Sequence, residues 1–168
     1  MVLAAAVGVH SGLARGAAGN VPLAFRAMRH GRTAISNEQP LVPGPSGYRP
    51  VVPAIVSHGD RDKIVHPRNG ERIIEQLRMK GDADLQPEIQ RGQAEGGRSY
   101  SRTSYLDGKG KAVLEMWVVH EAGHAWSGGS LTGSYTDPQG PDASREMVRF
   151  FSEHPQRDRF DELPSVSR

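Results

Sequence analysis

Residues 51–81, VVPAIVSHGDRDKIVHPRNGERIIEQLRMKG, decide the fold class. Val51 to Val56 is a short run of apolar, largely β-branched residues, the composition of a strand buried on both faces in a parallel sheet. It ends at His58-Gly59-Asp60-Arg61-Asp62, a polar loop. Pro67 and Asn69 then introduce a helix whose Ile73, Ile74 and Leu77 share one face at helical spacing, with Gly81 as its stop. This is a strand–loop–helix unit, and strands alternating with helices belong to α/β architectures. In these, functional side chains gather beyond the carboxyl ends of the strands. Asp62 lies at such an end.

Outward from this unit the pattern repeats. Ala4 to Val9 is a second apolar run, closed by His10, Ser11 and Gly12, and fits a fully buried strand of a parallel sheet. Asn20 and Pro22 open a short helix, with Phe25 and Met28 one turn apart and Gly31 as its stop. Arg32 to Pro50 is rich in Pro and Gly without periodicity and reads as a surface loop. Arg98 to Leu106, the turn Asp107-Gly108-Lys109-Gly110 and Lys111 to Val119 read as one β-hairpin leading into a third strand. His120 to His124 follows that strand, then a Gly-rich loop. Asp142 is placed to cap a last helix that buries Met147, Phe150 and Phe151. From Gln156 to Arg168 the tail is polar.

Bulk properties narrow the class but not the chemistry. The 168 residues carry 21 basic and 19 acidic side chains, a net charge of +2. Basic residues are scattered among acids with no aromatic-interleaved stripe, so no nucleic-acid partner is expected. There is no cysteine, which removes disulfides and thiolate metal sites. No apolar run approaches the roughly 20 residues of a membrane span, and no membrane partner is expected. The opening MVLAAAVGVHSG lacks the basic residues that precede a signal-peptide core and reads as a strand.

Two readings compete for the histidines. Residues 120–124, HEAGH, match H-E-x-x-H, in which a helix sets His120 and His124 one turn apart on a zinc ion with Glu121 as general base. Ser127 and Ser130 occupy the places where the extended motif has Gly and His, leaving Glu146 as the substitute third ligand. Against this, VLEMWVV just before it is strand-like, and Gly123, Gly128 and Gly129 oppose a helix after it. The other reading joins Asp62 to His124. In a Ser-His-Asp triad the acid fixes the tautomer of the imidazole that takes the serine's proton, and α/β-hydrolases order the three as Ser, Asp, His. A loop acid and a loop histidine without catalytic work remain the plain alternative.

HGDRDKIVHPRNGERIIEQ, GHAWSGGSLTGSYTDPQGPDASREMVRFFSEHP and AAVGVHSGLARGAA together resemble the corresponding parts of the polyhydroxybutyrate (PHB) depolymerase-like esterases, from about Ala5 to Pro155. The resemblance implies the C-terminal portion of an α/β-hydrolase fold over residues 1–155: a mostly parallel sheet with flanking helices and one β-hairpin. It places the triad acid at Asp62 and the triad base at His124, with Trp126, Tyr135 and His10 as candidate substrate contacts. It implies no metal and no cofactor. Its substrates are esters of short 3-hydroxyalkanoates or their polyesters, and its members are extracellular.

The nucleophile elbow of such enzymes, G-x-S-x-G, is not present. Ser46 in GPSGY lacks the second glycine, and Ser11 in VHSGL sits on a strand end that the family does not use for its serine. In the family the elbow precedes the segment matched by AAVGVHSG. The chain therefore reads as catalytically incomplete: a fragment, a late-started gene model or a natural short form. A strand deprived of its earlier neighbour would leave an open sheet edge near Ala4, inviting self-association. A zinc peptidase and a non-catalytic binding fragment are the alternatives.

Overall fold

In the computed structural model, which describes residues 6–31, 51–81 and 84–155, the apolar run ahead of His10 forms strand β1 (Val7–His10). Helix α1 (Val21–His30) is set by its ends. The Asn20 side chain accepts from Leu23 N, and Gly31 closes the helix in the left-handed region at φ 56°, its N–H bonded to the Ala27 carbonyl. That positive φ is the conformation glycine adopts without steric cost. Ala27 is the residue α1 buries, while Phe25 stays exposed. Strand β2 (Ala54–Gly59) is buried throughout, and α2 (Arg68–Lys80) ends at Gly81. Next come β3 (Gln86–Gln93), β4 (Ser99–Leu106) and β5 (Ala112–Val119), two short strands β6 (Trp126–Ser127) and β7 (Thr136–Asp137), and α3 (Ala143–Glu153). Ala4 and Ala5, the loop 32–50 with Ser46, and the tail from Gln156 lie outside the described residues.

The main sheet runs β1-β2-β5-β4-β3. β1, β2 and β5 are parallel, whereas β4 is antiparallel to both β5 and β3. The sheet is thus mixed, with two parallel and two antiparallel pairings, where a mostly parallel one is expected from the sequence. The difference is β3. Its sequence, QPEIQRGQ, offers no alternation of apolar residues and it is exposed over nearly its whole length, so it escapes a search for half-buried strands. Its strand character comes from pairing with β4 over all eight residues, Gln86↔Leu106 to Gln93↔Ser99. The one expected hairpin is therefore two. Among the described residues β1 and β3 form the edges, so β1, expected to be fully buried, is not: no strand covers its outer side and Val7 is 38% exposed.

Alternation along the central strands builds two cores. On one face Ala54, Val56, Leu114 and Met116 pack with Ile73 and Ile74 of α2. On the other, Ile55 and Trp117 pack with Met147 and Phe150 of α3. Phe151, expected in that core, is 39% exposed. It sits one residue past Phe150, about 100° around the helix. The sheet is a layer between α2 and α3, and no helix of the described residues is long and apolar enough to cross a membrane.

Candidate active site

β2 and β5 are parallel neighbours, so their carboxyl ends deliver two loops to one place. Gly59 lets these loops touch. A Cβ there would stand 2.4 Å from the Ala122 carbonyl oxygen and 2.7 Å from that of Gly123, distances no side chain tolerates. Asp60 N donates to the Val119 carbonyl at 3.1 Å and Arg61 N to that of Ala122 at 3.0 Å. The two loops are stitched by backbone bonds before any side chain is considered.

Asp62 is 4% exposed and both its oxygens are engaged. Oδ1 accepts from Ile64 N at 2.9 Å and Val65 N at 2.8 Å. Oδ2 faces His124 Nδ1 at 2.8 Å. Burial pushes the carboxyl pKa up, but the His124 hydrogen bond and the Val65 and Ile64 N–H groups outweigh it and hold it below the ordinary value. The acid is an anion with a fixed orientation.

Neutral His124 can bind that anion only by donating from Nδ1, which leaves Nε2 as the lone-pair nitrogen. The side chain is 34% exposed, and among the described residues no hydroxyl reaches Nε2. Ser11, the nearest alternative nucleophile in the sequence, has φ 47° and a buried Oγ without a partner. It does not meet His124. The pair can act as a general base whose acid partner stabilises the imidazolium.

His58 adds a contact the sequence does not announce. It is fully buried, and its Nε2 lies 2.7 Å from the Val65 carbonyl and 3.4 Å from Asp62 Oδ2. A carbonyl only accepts, so Nε2 carries the proton and supports the loop that holds Asp62. Its Nδ1 has no partner. Burial is the main cause of its lowered pKa. The periodicity of β2 could signal an inward side chain at position 58, but nothing in the sequence pairs it with Asp62.

His10 and Trp126 line up, and Tyr135 does not join them. The His10 ring stacks on Trp126 with centroids 4.7 Å apart, and its Nε2 accepts from Ser127 N at 3.0 Å. Trp126 Nε1 donates to Ser144 Oγ at 3.1 Å. Tyr135 is 82% exposed with φ 60°. Its main-chain carbonyl accepts from Trp126 N, while its side chain stays exposed.

The zinc reading needs a helix through residues 120–124, and the backbone there is a turn with Glu121 in the left-handed region at φ 61°. His120 and His124 face different carboxylates. His120 Nδ1 lies 3.0 Å from Asp60 Oδ2, Glu121 pairs with Arg61, and Glu146 binds Arg149. Among the described residues, no three His, Asp or Glu side chains are grouped to hold a metal.

The buried imidazoles make stability depend on pH. Burial, then the neighbouring His58 and His124, push His10 down to about 4 from an ordinary value of 6.5, against the pull of Asp62. The folded protein binds fewer protons here than the unfolded chain, so stability rises with pH. This contribution is complete above about pH 6.5 and is lost as pH falls toward 4. The urea midpoint should be flat above neutrality and drop across that window. His10→Gln, which keeps an acceptor for Ser127 N, should flatten the drop; an unchanged slope would contradict it.

Compared with known proteins, the chain matches no family model and no curated protein.

Proposed function

We propose that this chain carries the acid–base half of a serine ester hydrolase of the PHB depolymerase-like type, built on the C-terminal portion of an α/β-hydrolase fold. The observation that carries the proposal is the 2.8 Å contact between Asp62 Oδ2 and His124 Nδ1, on loops that leave adjacent parallel strands. Asp precedes His in the chain, the order of such enzymes. The histidine's other nitrogen is free to meet a hydroxyl.

In this reading a serine hydroxyl attacks the ester carbonyl while His124 Nε2 takes its proton, and Asp62 stabilises the imidazolium. His124 then protonates the departing alcohol. Water, deprotonated by the same nitrogen, releases the acid from the acyl-enzyme. No G-x-S-x-G occurs in the 168 residues, so in this reading the hydroxyl is not carried by a nucleophile elbow among them. The resemblance points to short 3-hydroxyalkanoate esters as substrates. The stacked rings of His10 and Trp126 would offer an acyl chain a flat face.

The test joins the serine-bearing N-terminal half of a PHB depolymerase-like esterase ahead of residue 1 and measures hydrolysis of an aryl 3-hydroxybutyrate. Turnover abolished by His124→Ala is expected. Absence of turnover in the joined protein, or turnover indifferent to His124, would overturn the proposal.

A further inference from the structure

A second Ser-His-Asp relay lies beside the first pair. His120 N donates to the Ser99 carbonyl at 2.9 Å, extending the β4–β5 ladder by one residue. Ser99 is thus opposite His120, and Ser101 is its diagonal neighbour on the same face of the sheet, within reach of a long side chain. Ser101 Oγ lies 2.9 Å from His120 Nε2. On the far side of the ring, Nδ1 lies 3.0 Å from Asp60 Oδ2, while Asp60 Oδ1 accepts from Glu121 N at 2.7 Å. The backbone N–H fixes the carboxylate and the carboxylate fixes the ring. The neutral ring then carries its proton on Nδ1, and Ser101 donates its own to Nε2.

That arrangement is nucleophile, base and orienting acid in hydrogen-bonded sequence, the geometry by which an activated hydroxyl is recognised regardless of chain order. It is open to solvent: His120 and Asp60 side chains are 35% and 37% exposed, and Ser101 is half-buried. A cleft of about 240 Å³ borders His120, lined by Gly96, Gly97, Arg98, Ser99, Glu121 and Gln139. Ser101 and Asp60 are not part of its lining, so the cleft meets the relay at His120.

We propose that Ser101 is a nucleophile activated by His120, with Asp60 as its positioning residue, and that it accepts an acyl group from small activated esters. The Ser101 Oγ–carbonyl bond forms as His120 Nε2 takes the hydroxyl proton. The ester C–O bond breaks, and the leaving alcohol takes that proton. Water returns the acyl group as the free acid by the same steps in reverse. This site uses neither Asp62 nor His124 and stands independently of the function proposed above.

The test treats the folded chain with an alkyl fluorophosphonate, in which Oγ–P bond formation expels fluoride, and locates the adduct by mass spectrometry. Labelling on Ser101 is expected, absent in Ser101→Ala and slowed about 100-fold in His120→Gln, within the range of general-base assistance. Release of p-nitrophenol from its acetate should fall in parallel. Labelling in Ser134→Ala, an exposed serine away from the relay, should be unchanged. If the three residues only brace β4 against the 59–61 loop, Ser101→Ala will shift the urea midpoint and no adduct will form. No adduct on Ser101, or labelling undiminished by His120→Gln, would overturn the proposal.

Discussion

Asp62→Asn is expected to lower kcat for the proposed ester hydrolysis by about 10⁴-fold once a serine nucleophile is supplied, close to the loss seen when a triad acid is amidated. That is about 5.5 kcal/mol of transition-state stabilisation at 1.36 kcal/mol per decade. The size of the effect follows from the hydrogen bonds of one carboxylate. Because Oδ1 accepts from both Ile64 N and Val65 N, an asparagine must place its oxygen there and its NH₂ toward His124. The imidazole can then no longer donate from Nδ1 and must accept. Its proton moves to Nε2, where a base needs a lone pair. Asn is nearly isosteric and keeps the 62–65 turn, so the fold should survive. A loss below tenfold, measured as kcat with an aryl 3-hydroxybutyrate, would mean that Asp62 does not set the tautomer.

Arg149→Leu is expected to destabilise the fold by about 1.5–3 kcal/mol, the range for a hydrogen bond to a charged group, because Arg102 still faces the Glu115 carboxylate. Glu115 is in the middle of β5 with no solvent exposure. Its Oε2 accepts from Arg149 Nη2 at 2.7 Å and from Trp117 Nε1 at 2.9 Å. Arg102 Nη2 lies 3.3 Å from Oε1, yet Oε1 has no properly aligned hydrogen bond, so the Arg102 contact adds charge without satisfying that oxygen. Arg149 also binds Glu146 and Glu153 of its own helix. Burial opposes its charge, but the Glu146 hydrogen bond and the Glu115 carboxylate outweigh that and raise its pKa. The residue therefore pins α3 to the sheet while compensating a fully buried carboxylate. Urea unfolding should show the loss, and the double variant Glu115→Leu/Arg149→Leu should recover part of it. A single-variant loss under about 1 kcal/mol would contradict this account.

The sequence makes some of this visible and hides the rest for physical reasons. Helix ends are local: Asn20, Gly31 and Asp142 mark them through bonds made within a few residues, and Gly81 ends α2 by turning the backbone to extended. The buried strand β2 announces itself as an apolar run, whereas the equally apolar run of β1 lies at a sheet edge and is only partly buried. The placement of Asp62 and His124 is also legible, because strand ends in an α/β architecture determine which loops meet. β3 is not legible, since an exposed edge strand needs no apolar pattern. Glu115 sits in the run VLEMWVV, where it looks like an outward residue of a strand. Its burial depends on Arg149, which arrives from another element 34 residues away. The Ser101–His120–Asp60 relay is hidden for the same reason, as it is assembled from three strand ends by the sheet's register. His10 reads as a substrate contact in the sequence. In the fold its ring is stacked on Trp126 and its Nε2 is committed to Ser127 N.

The central claim is that Asp62 holds His124 with its proton on Nδ1 and a free base at Nε2. Nitrogen-15 NMR of the labelled 168-residue chain reads this directly, because protonated and lone-pair imidazole nitrogens differ widely in shift. At a pH where the ring is neutral, His124 should show a protonated Nδ1 and a lone-pair Nε2, and Asp62→Asn should reverse the two. A neutral His124 with its proton on Nε2, or a tautomer that Asp62→Asn leaves unchanged, would contradict the account.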